Sequence, residues 1–331
     1  MSRPLEGTEV AVIGAGVAGL TASLALAERG ARVVLYERSA TLGAQACSWM
    51  AGGMLAPYCE RDGSEPRVSE RGMASLDWWP RHVPGVTRGG SLVVAAARDR
   101  PDLVRFAART EHHEALDADG LAALEPDLAG RFGQALWFAD EAHLDPRHAL
   151  EALALALRHL GGRLELDADV RCDDFADRPV IDCRGLGARD ALPSLRAVRG
   201  EMILLRSRDV RLQRPVRLLH PRTPVYVIPR ADGLLMLGAT SIESEHAGPV
   251  SVRSAVELLN AAYLLHPALA DAEIVELGVG LRPAFPDNLP AVVRDGHVLR
   301  FNGLYRHGFL LAPWYAERLA DGLADHFAEA A

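Results

Sequence analysis

The sequence predicts an α/β fold built as two lobes, and three observations lead to that class. Its 331 residues are about twice the length of one ordinary domain. A β-branched run at 9–13, an alanine- and leucine-rich run at 17–29 and a second β-branched run at 32–37 form a strand–helix–strand unit, which is typical of a parallel sheet. Residues 198–239 are instead rich in strands, which predicts a second, mixed sheet.

Composition excludes several classes of function. The formal net charge is −8, from 36 basic and 44 acidic residues, so a nucleic acid or an anionic membrane surface is a poor partner. Every basic residue is arginine. Without lysine there is no Schiff-base chemistry, hence no pyridoxal-phosphate or lysine-aldolase reaction, and no P-loop.

The four cysteines show neither a metal-ligand nor a redox pattern. Cys47, Cys59, Cys172 and Cys183 form no C-x-x-C and do not lie beside histidines at zinc-ligand spacing. We therefore expect reduced thiols, a cytoplasmic location and no metal site.

A nearly continuous apolar run at 10–27 could be taken for a signal-peptide core or a membrane span. It contains Gly14, Gly16 and Gly19 at fixed spacing and has only Arg3 ahead of it. These features favour a buried strand followed by a helix, and no other stretch is long and apolar enough to span a bilayer.

The remaining elements follow from periodicity and from helix-end and turn signals. Asp145 and Pro146 supply an N-cap and a first-turn proline, and residues 231–233 form a hairpin turn. In chain order we expect an irregular segment at 42–70, a strand at 91–96, helices at 101–113 and 145–160, strands at 180–183, 225–230 and 234–239, a helix at 251–265, strands at 273–281, 291–293 and 298–302, and a closing helix at 312–328.

The glycines form a G-x-G-x-x-G motif between the first strand and the first helix. Gly14 allows the tight turn, Gly16 lets a pyrophosphate approach the backbone, and Gly19 lets helix and strand pack closely. Glu37 ends the next strand, where an acid accepts hydrogen bonds from the ribose hydroxyls and repels a 2′-phosphate. The pattern predicts a dinucleotide site; the alternative is a glycine-rich turn without a ligand.

The segment V-I-D-C-R-G-L-G at 180–187 favours FAD over NAD. It resembles the second nucleotide-side segment of two-dinucleotide-binding flavoproteins, where a strand ends in a glycine-bearing turn near the FAD. A simple NAD dehydrogenase has no need of this late return to the nucleotide domain.

A wider resemblance rests on C-S-W-M-A-G-G-M-L-A-P at 47–57, followed by Glu60. This stretch resembles the flavin-side segment of the glycine oxidase family, within the D-amino-acid oxidase and sarcosine oxidase superfamily. Further matches occur in family order from residue 10 to residue 320, more loosely over 60–140. They include V-Y-V-I-P-R at 225–230, L-G-A-T at 237–240, G-L-R-P at 280–283, P-D-N-L-P at 286–290 and Y-R-H-G-F-L-L-A-P at 305–313.

The resemblance implies a Rossmann-like FAD-binding domain formed by 1–80, 138–195 and 277–331, and a mixed-sheet α+β substrate domain formed by 81–137 and 196–276. It implies oxidation of a small amino acid to its imine, with FAD taking the hydride and oxygen being reduced to hydrogen peroxide. The imine of glycine would feed thiazole synthesis in the thiamine pathway. Because the covalent flavin of sarcosine oxidases uses a late cysteine and the last one here is Cys183, we expect non-covalent FAD.

The resemblance also assigns site residues. Arg282 falls on the arginine that binds the substrate carboxylate, a pairing that the planar guanidinium makes bidentate. Tyr226 and Arg306 match further active-site residues, and Met54 and Ser241 match the pocket wall. The alternatives are a structural arginine, a sheet aromatic and a core methionine.

The expected FAD contacts extend over the whole chain. They are Gly14, Gly16, Val17, Ala18, Gly19, Glu37, Arg38, Ser48, Gly53, Met54, Val170, Gly185, Gly187, Arg282, Arg306, His307, Gly308 and Phe309.

Departures from the family pattern leave the substrate open. Leu304 and His307 replace the family's histidine and asparagine, and Ser241 stands where relatives often carry a larger residue. Sarcosine, a D-amino acid or another small amine, with oxygen or another acceptor, therefore remains an alternative to glycine. An NAD-dependent dehydrogenase and a flavin-binding sensor are the other interpretations. The sequence leaves homo-oligomer formation open.

Overall fold

The computed structural model describes residues 4–330. The strands are β1 (Glu9–Ile13), β2 (Arg32–Tyr36), β3 (Met54–Leu55), β4 (Ser91–Ala95), β5 (Glu114–Asp117), β6 (Gln134–Phe138), β7 (Ala142–His143), β8 (Arg163–Glu165), β9 (Val180–Asp182), β10 (Arg196–Arg206), β11 (Val216–Leu219), β12 (Val225–Pro229), β13 (Leu234–Gly238), β14 (Ile242–Glu243), β15 (Glu273–Ala284), β16 (Ala291–Asp295) and β17 (Val298–Asn302). The helices are α1 (Val17–Glu28), α2 (Pro66–His82), α3 (Arg100–Arg109), α4 (Ala118–Leu124), α5 (Pro146–His159), α6 (Val252–Leu265) and α7 (Gly308–Ala330).

The first sheet is the predicted parallel sheet. Its order is β16-β17-β9-β1-β2-β8, and all neighbours run parallel except the β16–β17 hairpin. β1 and β9 are almost wholly buried, as expected for central strands covered on both faces. Ile13 lies opposite both Tyr36 and Asp182, so the carboxyl ends of β1, β2 and β9 meet at one edge, where parallel α/β sheets bind ligands.

The second sheet is mixed and has nine strands. Its order is β14-β10-β13-β12-β11-β4-β6-β5, with β15 also paired to β10. One face packs on α6 through a core that includes Val227 and Leu258. The opposite face carries Tyr226, Ile228 and Met236, which pack together. Because neighbouring residues of a strand point to opposite faces, the alternation along β12 aims Tyr226 away from the α6 core.

Three observations concern the cysteines, membrane-spanning helices and metal sites. All four cysteines are free. Over residues 4–330 no helix has both the length and the apolarity that a membrane crossing requires. The same residues contain no cluster of histidine, cysteine and acidic side chains suited to a metal ion.

Many local predictions are confirmed. β1, α1 and β2 follow one another as expected, and Asp145 caps α5 by accepting the Arg147 amide at 2.9 Å. The predicted hairpin joins β12 and β13, with Asp232 and Gly233 at positive φ angles of 58° and 70°. The domain boundaries stay a prediction, and residue 277 lies within β15, which pairs with β10 over its length.

Two predicted segments are wrong. The irregular segment drawn to residue 70 contains the start of α2, because Pro66 lies in a first helical turn and a stripe including Val68, Trp78 and Trp79 is buried between polar residues. The helix predicted to residue 113 ends at Arg109, and the chain turns at His112, with φ of 58°, into β5.

The closing helix begins at Gly308, four residues before the predicted start. Pro313 lies inside it and has no N–H for the carbonyl of Phe309, four residues earlier. The Trp79 indole N–H donates to that carbonyl instead, at 2.7 Å. Helix α2 therefore supplies the hydrogen-bond donor that the Phe309 carbonyl lacks within α7.

Candidate active site

The nucleotide turn forms where β1 and β9 end side by side. A Cβ at Gly14, where φ is +100°, would lie 2.7 Å from the carbonyl oxygen of Cys183, and a Cβ at Gly19 would lie 1.8 Å from the carbonyl oxygen of Gly14. No side chain can be accommodated at either position. The two glycine-bearing segments singled out in the sequence thus meet at one point.

Two helix N-termini converge beside this turn. At the start of α1, the Val17 amide donates to the Ser48 hydroxyl at 3.1 Å, and the amides of Ala18 and Gly19 lie in the first turn, where a helix supplies no carbonyl partner. A Cβ on Gly308, the first residue of α7, would lie 3.3 Å from Val17. Helix N-termini carry positive dipole ends and favour phosphate.

Glu37 is held at the end of β2. Its carboxylate accepts the amides of Ala15 at 2.9 Å and Ser39 at 3.0 Å. Each carboxylate oxygen keeps a lone pair for another donor, such as a ribose hydroxyl. The glycine turn, the helix N-termini and this acid therefore suit a dinucleotide.

The remaining predicted contacts come from several parts of the chain. The Gly185 carbonyl accepts the Asn302 side chain at 2.9 Å. The other predicted contacts are Arg38, which is exposed, Val170, which packs in a small cluster with Tyr36, Gly53, which adjoins Leu144 in the segment before β3, Gly187, which follows β9 in a helical turn, and Phe309, which is buried against Trp79.

Arg282 and Tyr226 lie above glycines of the large sheet. The Arg282 guanidinium covers Gly200 of β10, where a Cβ would lie 2.3 Å from Nη2, and its Nη1 donates to the Thr240 carbonyl at 3.0 Å. The Tyr226 hydroxyl lies over Gly238, where a Cβ would be 3.2 Å away. Larger residues at these glycines would displace Arg282 and Tyr226.

Methionines form an apolar wall next to Tyr226. Four of the six methionines belong to one cluster with Tyr226 and Ile228: Met50, Met54, Met202 and Met236. The predicted pocket residue Met54 therefore packs against the same cluster as Tyr226. Ser241 is exposed, and its hydroxyl contacts that of Tyr305 at 3.2 Å, which places it at the rim.

A mostly buried carboxylate gathers the cationic side chains of the site. Glu60 lies 3.1 Å from Arg217 Nη2, 3.0 Å from Arg306 Nη2 and 3.4 Å from His307 Nδ1. Burial by itself raises the pKa of Glu60, but Arg306, His307 and Arg217 together lower this pKa to about 2. Burial lowers the pKa of His307 to about 4, so at neutral pH this histidine is uncharged.

These charges act on the Tyr226 hydroxyl. Burial raises the pKa of Tyr226, Glu60 raises it further, and the positive charges of Arg282, Arg217 and Arg306 oppose the rise. At neutral pH three guanidiniums face one carboxylate, and the site is positive. Such a site attracts an anion.

Arg217 and Arg230 also lie near Tyr226, although no sequence motif indicates a role for either residue. Arg217 lies opposite Tyr226 in the β11–β12 register, and Arg230 shares the face of Tyr226 and donates to the carbonyls of Gly52 and Leu144. Strand alternation places both near the site, but only the three-dimensional pairing of β11 with β12 shows that Arg217 reaches Glu60.

A parallel sheet with a dinucleotide turn, joined to a mixed sheet that carries arginines and a tyrosine, suits an oxidoreductase that binds a dinucleotide cofactor. The chain belongs to the family of FAD-dependent oxidoreductases described as DAO, whose model matches residues 9–322. A putative thiamine biosynthesis oxidoreductase, ThiO, of Rhizobium etli is 54% identical over 312 residues, covering 94% of this chain and 95% of the relative. A glycine oxidase of Geobacillus kaustophilus is 29% identical, covering 95% and 92%. The structure of a glycine oxidase from Bacillus cereus superposes with a TM-score of 0.82 at 22% identity, covering 96% and 95%.

Proposed function

We propose that this enzyme oxidises glycine, or an amino acid of similar size, to its imine. Two electrons and two protons leave the amino acid and reduce oxygen to hydrogen peroxide. The observation that carries the proposal is the placement of Arg282 beside Tyr226, in a site of surplus positive charge next to the dinucleotide turn. A carboxylate is the anion that a guanidinium binds with two parallel hydrogen bonds.

Each side chain then has a separate task. Arg282 binds the substrate carboxylate, and the Tyr226 hydroxyl donates to the same group. With the carboxylate held, the Cα hydrogen points in one direction, and this orientation contributes to the rate. The methionine cluster around Met54 excludes water from the reacting carbon. An amine that arrives neutral drives hydride loss with its lone pair, so no general base is needed.

FAD, when bound, supplies the hydride acceptor and the route of electrons to oxygen. We propose that the glycine turn, Glu37, Ser48 and the start of α7 hold it without a covalent link. The name of the Geobacillus kaustophilus relative, a glycine oxidase, supports glycine as substrate. The name of the Rhizobium etli relative supports a place in thiamine biosynthesis. The four free thiols support a cytoplasmic location.

The test is an amine panel assayed for peroxide with the purified protein. We expect a yellow protein that releases intact FAD on denaturation and forms peroxide with glycine. Flavin that stays attached after acid precipitation would contradict the non-covalent site. A colourless protein that fails to take up FAD would contradict the whole proposal.

The rim supports a second candidate within the same reaction. Ser241 is small and exposed, so it leaves room for an N-methyl group or a short side chain. Sarcosine and D-alanine therefore belong in the panel beside glycine. If kcat/KM for sarcosine or D-alanine exceeds that for glycine, the bulkier amine is the preferred substrate. Faster turnover with an artificial electron acceptor than with oxygen would make the enzyme a dehydrogenase.

A further inference from the structure

Glu60 neutralises guanidiniums that otherwise face the site. It pairs with Arg217 through Oε1 and with Arg306 through Oε2, while Arg282 donates to a neutral backbone carbonyl. Within the part of the chain that the structure describes, no salt bridge joins Arg282 to an acid. Arg282 is thus the member of this cluster that is left for a substrate carboxylate.

We infer that Glu60 determines the substrate charge that the site accepts, so that amino acids with one carboxylate bind and those with a second anionic group are rejected. This inference rests on the proposed function and adds the substrate class to it. Glu60 acts by occupying the two guanidiniums that would bind a second carboxylate and by repelling that carboxylate. Unpaired or like charges facing a competitor are a general means of specificity.

The charge count supports this role. With His307 neutral, the three guanidiniums and Glu60 sum to +2, and one substrate carboxylate removes one unit of this charge. Glu141 interacts with Arg217 and offsets only part of the charge, because burial raises the pKa of Glu141 to about 7. Replacing Glu60 by glutamine raises the sum to +3 with almost no change in size. The site would then attract a dianion more strongly, and the volume available to it would be the same.

Arg306 should stay near the site without Glu60. Its Nη2 also donates to the Ser64 hydroxyl at 3.1 Å and to the Gly63 carbonyl at 3.4 Å. These neutral partners hold the guanidinium where it now lies but leave its charge uncompensated. Loss of Glu60 therefore exposes a fixed anion-binding group.

The test compares two unreactive ligands, so it does not depend on turnover. Methoxyacetate and oxydiacetate both place an ether oxygen where a substrate has its amine, and oxydiacetate carries one further carboxylate. Their dissociation constants for the FAD-loaded protein are measured by calorimetry. We expect the Kd ratio of oxydiacetate to methoxyacetate to fall at least tenfold in Glu60→Gln.

Two further variants control for structural damage. Glu60→Asp keeps the charge and should restore at least part of the parent ratio. Glu125→Gln removes a buried carboxylate that pairs with Arg214 at 3.2 Å outside the site, and it should leave the ratio unchanged. An equal fall in Glu125→Gln would mean that the change in Glu60→Gln reflects loosened structure.

A second variant, for which the Kd ratio should change in the opposite direction, tests the inference even if Glu60→Gln does not fold. Arg217→Met removes a guanidinium and leaves Glu60, so the ratio should rise at least threefold. Ratios within twofold of the parent in flavin-loaded Glu60→Gln, or in Arg217→Met, would overturn the inference. Failure of glycine to form peroxide would count against the proposed function alone, because neither ligand is oxidised.

Discussion

Asp182 and Glu60 each pair with two guanidiniums, but the net charges of the two clusters have opposite signs. Asp182, at the end of β9, lies 2.9 Å from Arg184 and 3.0 Å from Arg300. Each of these arginines has a second acid, Asp190 at 3.2 Å and Asp295 at 3.0 Å. Three acids and two arginines sum to −1.

The Glu60 cluster has the same core, but among residues 4–330 no salt bridge joins its two arginines to a second acid. Arg217 and Arg306 pair with Glu60, and Arg306 also donates to the neutral Ser64 hydroxyl and Gly63 carbonyl. Adding Arg282 leaves the group positive. The difference separates a closed network that stabilises the fold from an open one that awaits an anion, although both look alike as ion pairs.

The largest effect on stability should come from opening the closed network. Asp182→Asn leaves two guanidiniums, mostly buried, without their central acid. Breaking a buried ion pair from one side typically costs ~3–5 kcal/mol. Urea denaturation should show a loss of that size, with kcat per bound flavin within about threefold of the parent. A loss below ~1 kcal/mol would mean that the outer acids alone neutralise these arginines.

The largest effect on activity should come from Arg282→Ala. A substrate carboxylate that enters the site without its partner loses ~2–5 kcal/mol, or about 30- to several-thousand-fold in kcat/KM. Most of the loss should appear in KM, because the pair exists in the ground state as well as in the transition state. Steady-state peroxide assays with a normal flavin spectrum separate lost binding from lost folding.

Controls sharpen this prediction. Arg282→Lys should recover only part of the activity, because an ammonium lacks the planar fork. Slow oxidation of an amine without a carboxylate should hardly change in Arg282→Ala. If amino-acid oxidation in that variant stays within about threefold of the parent, below the ~1.4 kcal/mol of a tenfold change, another arginine holds the substrate.

A smaller effect is expected at Glu37, which the two backbone amides hold in place. Glu37→Ala should weaken FAD retention by ~1–3 kcal/mol, the usual range for losing a charged hydrogen-bond partner. Amine turnover in excess FAD should be almost unchanged. Dialysis against low FAD, followed by flavin absorbance, measures the loss; retention equal to the parent would mean that Glu37 acts only on the turn.

An effect of pH on stability is expected from Glu141, which accepts the Cys59 amide at 2.8 Å beneath Glu60. Burial raises the pKa of Glu141 to about 7. The folded state therefore binds more protons than the unfolded state between about pH 4.5 and 7, and this group's contribution to stability decreases as pH rises through that window. Relative to Glu141→Gln, the parent should lose free energy of unfolding from pH 5 to pH 7.5; a difference that is constant with pH would contradict the raised pKa.

Local sequence signals predicted much of the fold. The glycines of the first turn, the Asp145 cap and the Asp232–Gly233 hairpin each depend on a few neighbouring residues, and all form as expected. Helix α2 was missed because its buried stripe is interrupted by charged residues. β5 was missed because nothing nearby indicates the turn at His112.

The candidate site depends on contacts that no local pattern contains. Arg217 and Glu60 are 157 residues apart, and Arg282 reaches Thr240 across 42 residues. Arg282 and Tyr226 were found through a family resemblance, and the space that Gly200 and Gly238 leave for them follows only from the sheet register. Sequence alone therefore located the nucleotide turn better than the charged site.

The most direct test mixes the FAD-loaded protein with glycine in the absence of oxygen. If Arg282 and Tyr226 hold a small amino acid against the flavin, the yellow colour should bleach, and admitting oxygen should restore it with one peroxide per flavin. Arg282→Ala should remain yellow at the same glycine concentration. A parent spectrum that stays oxidised with glycine, sarcosine and D-alanine alike would contradict the account.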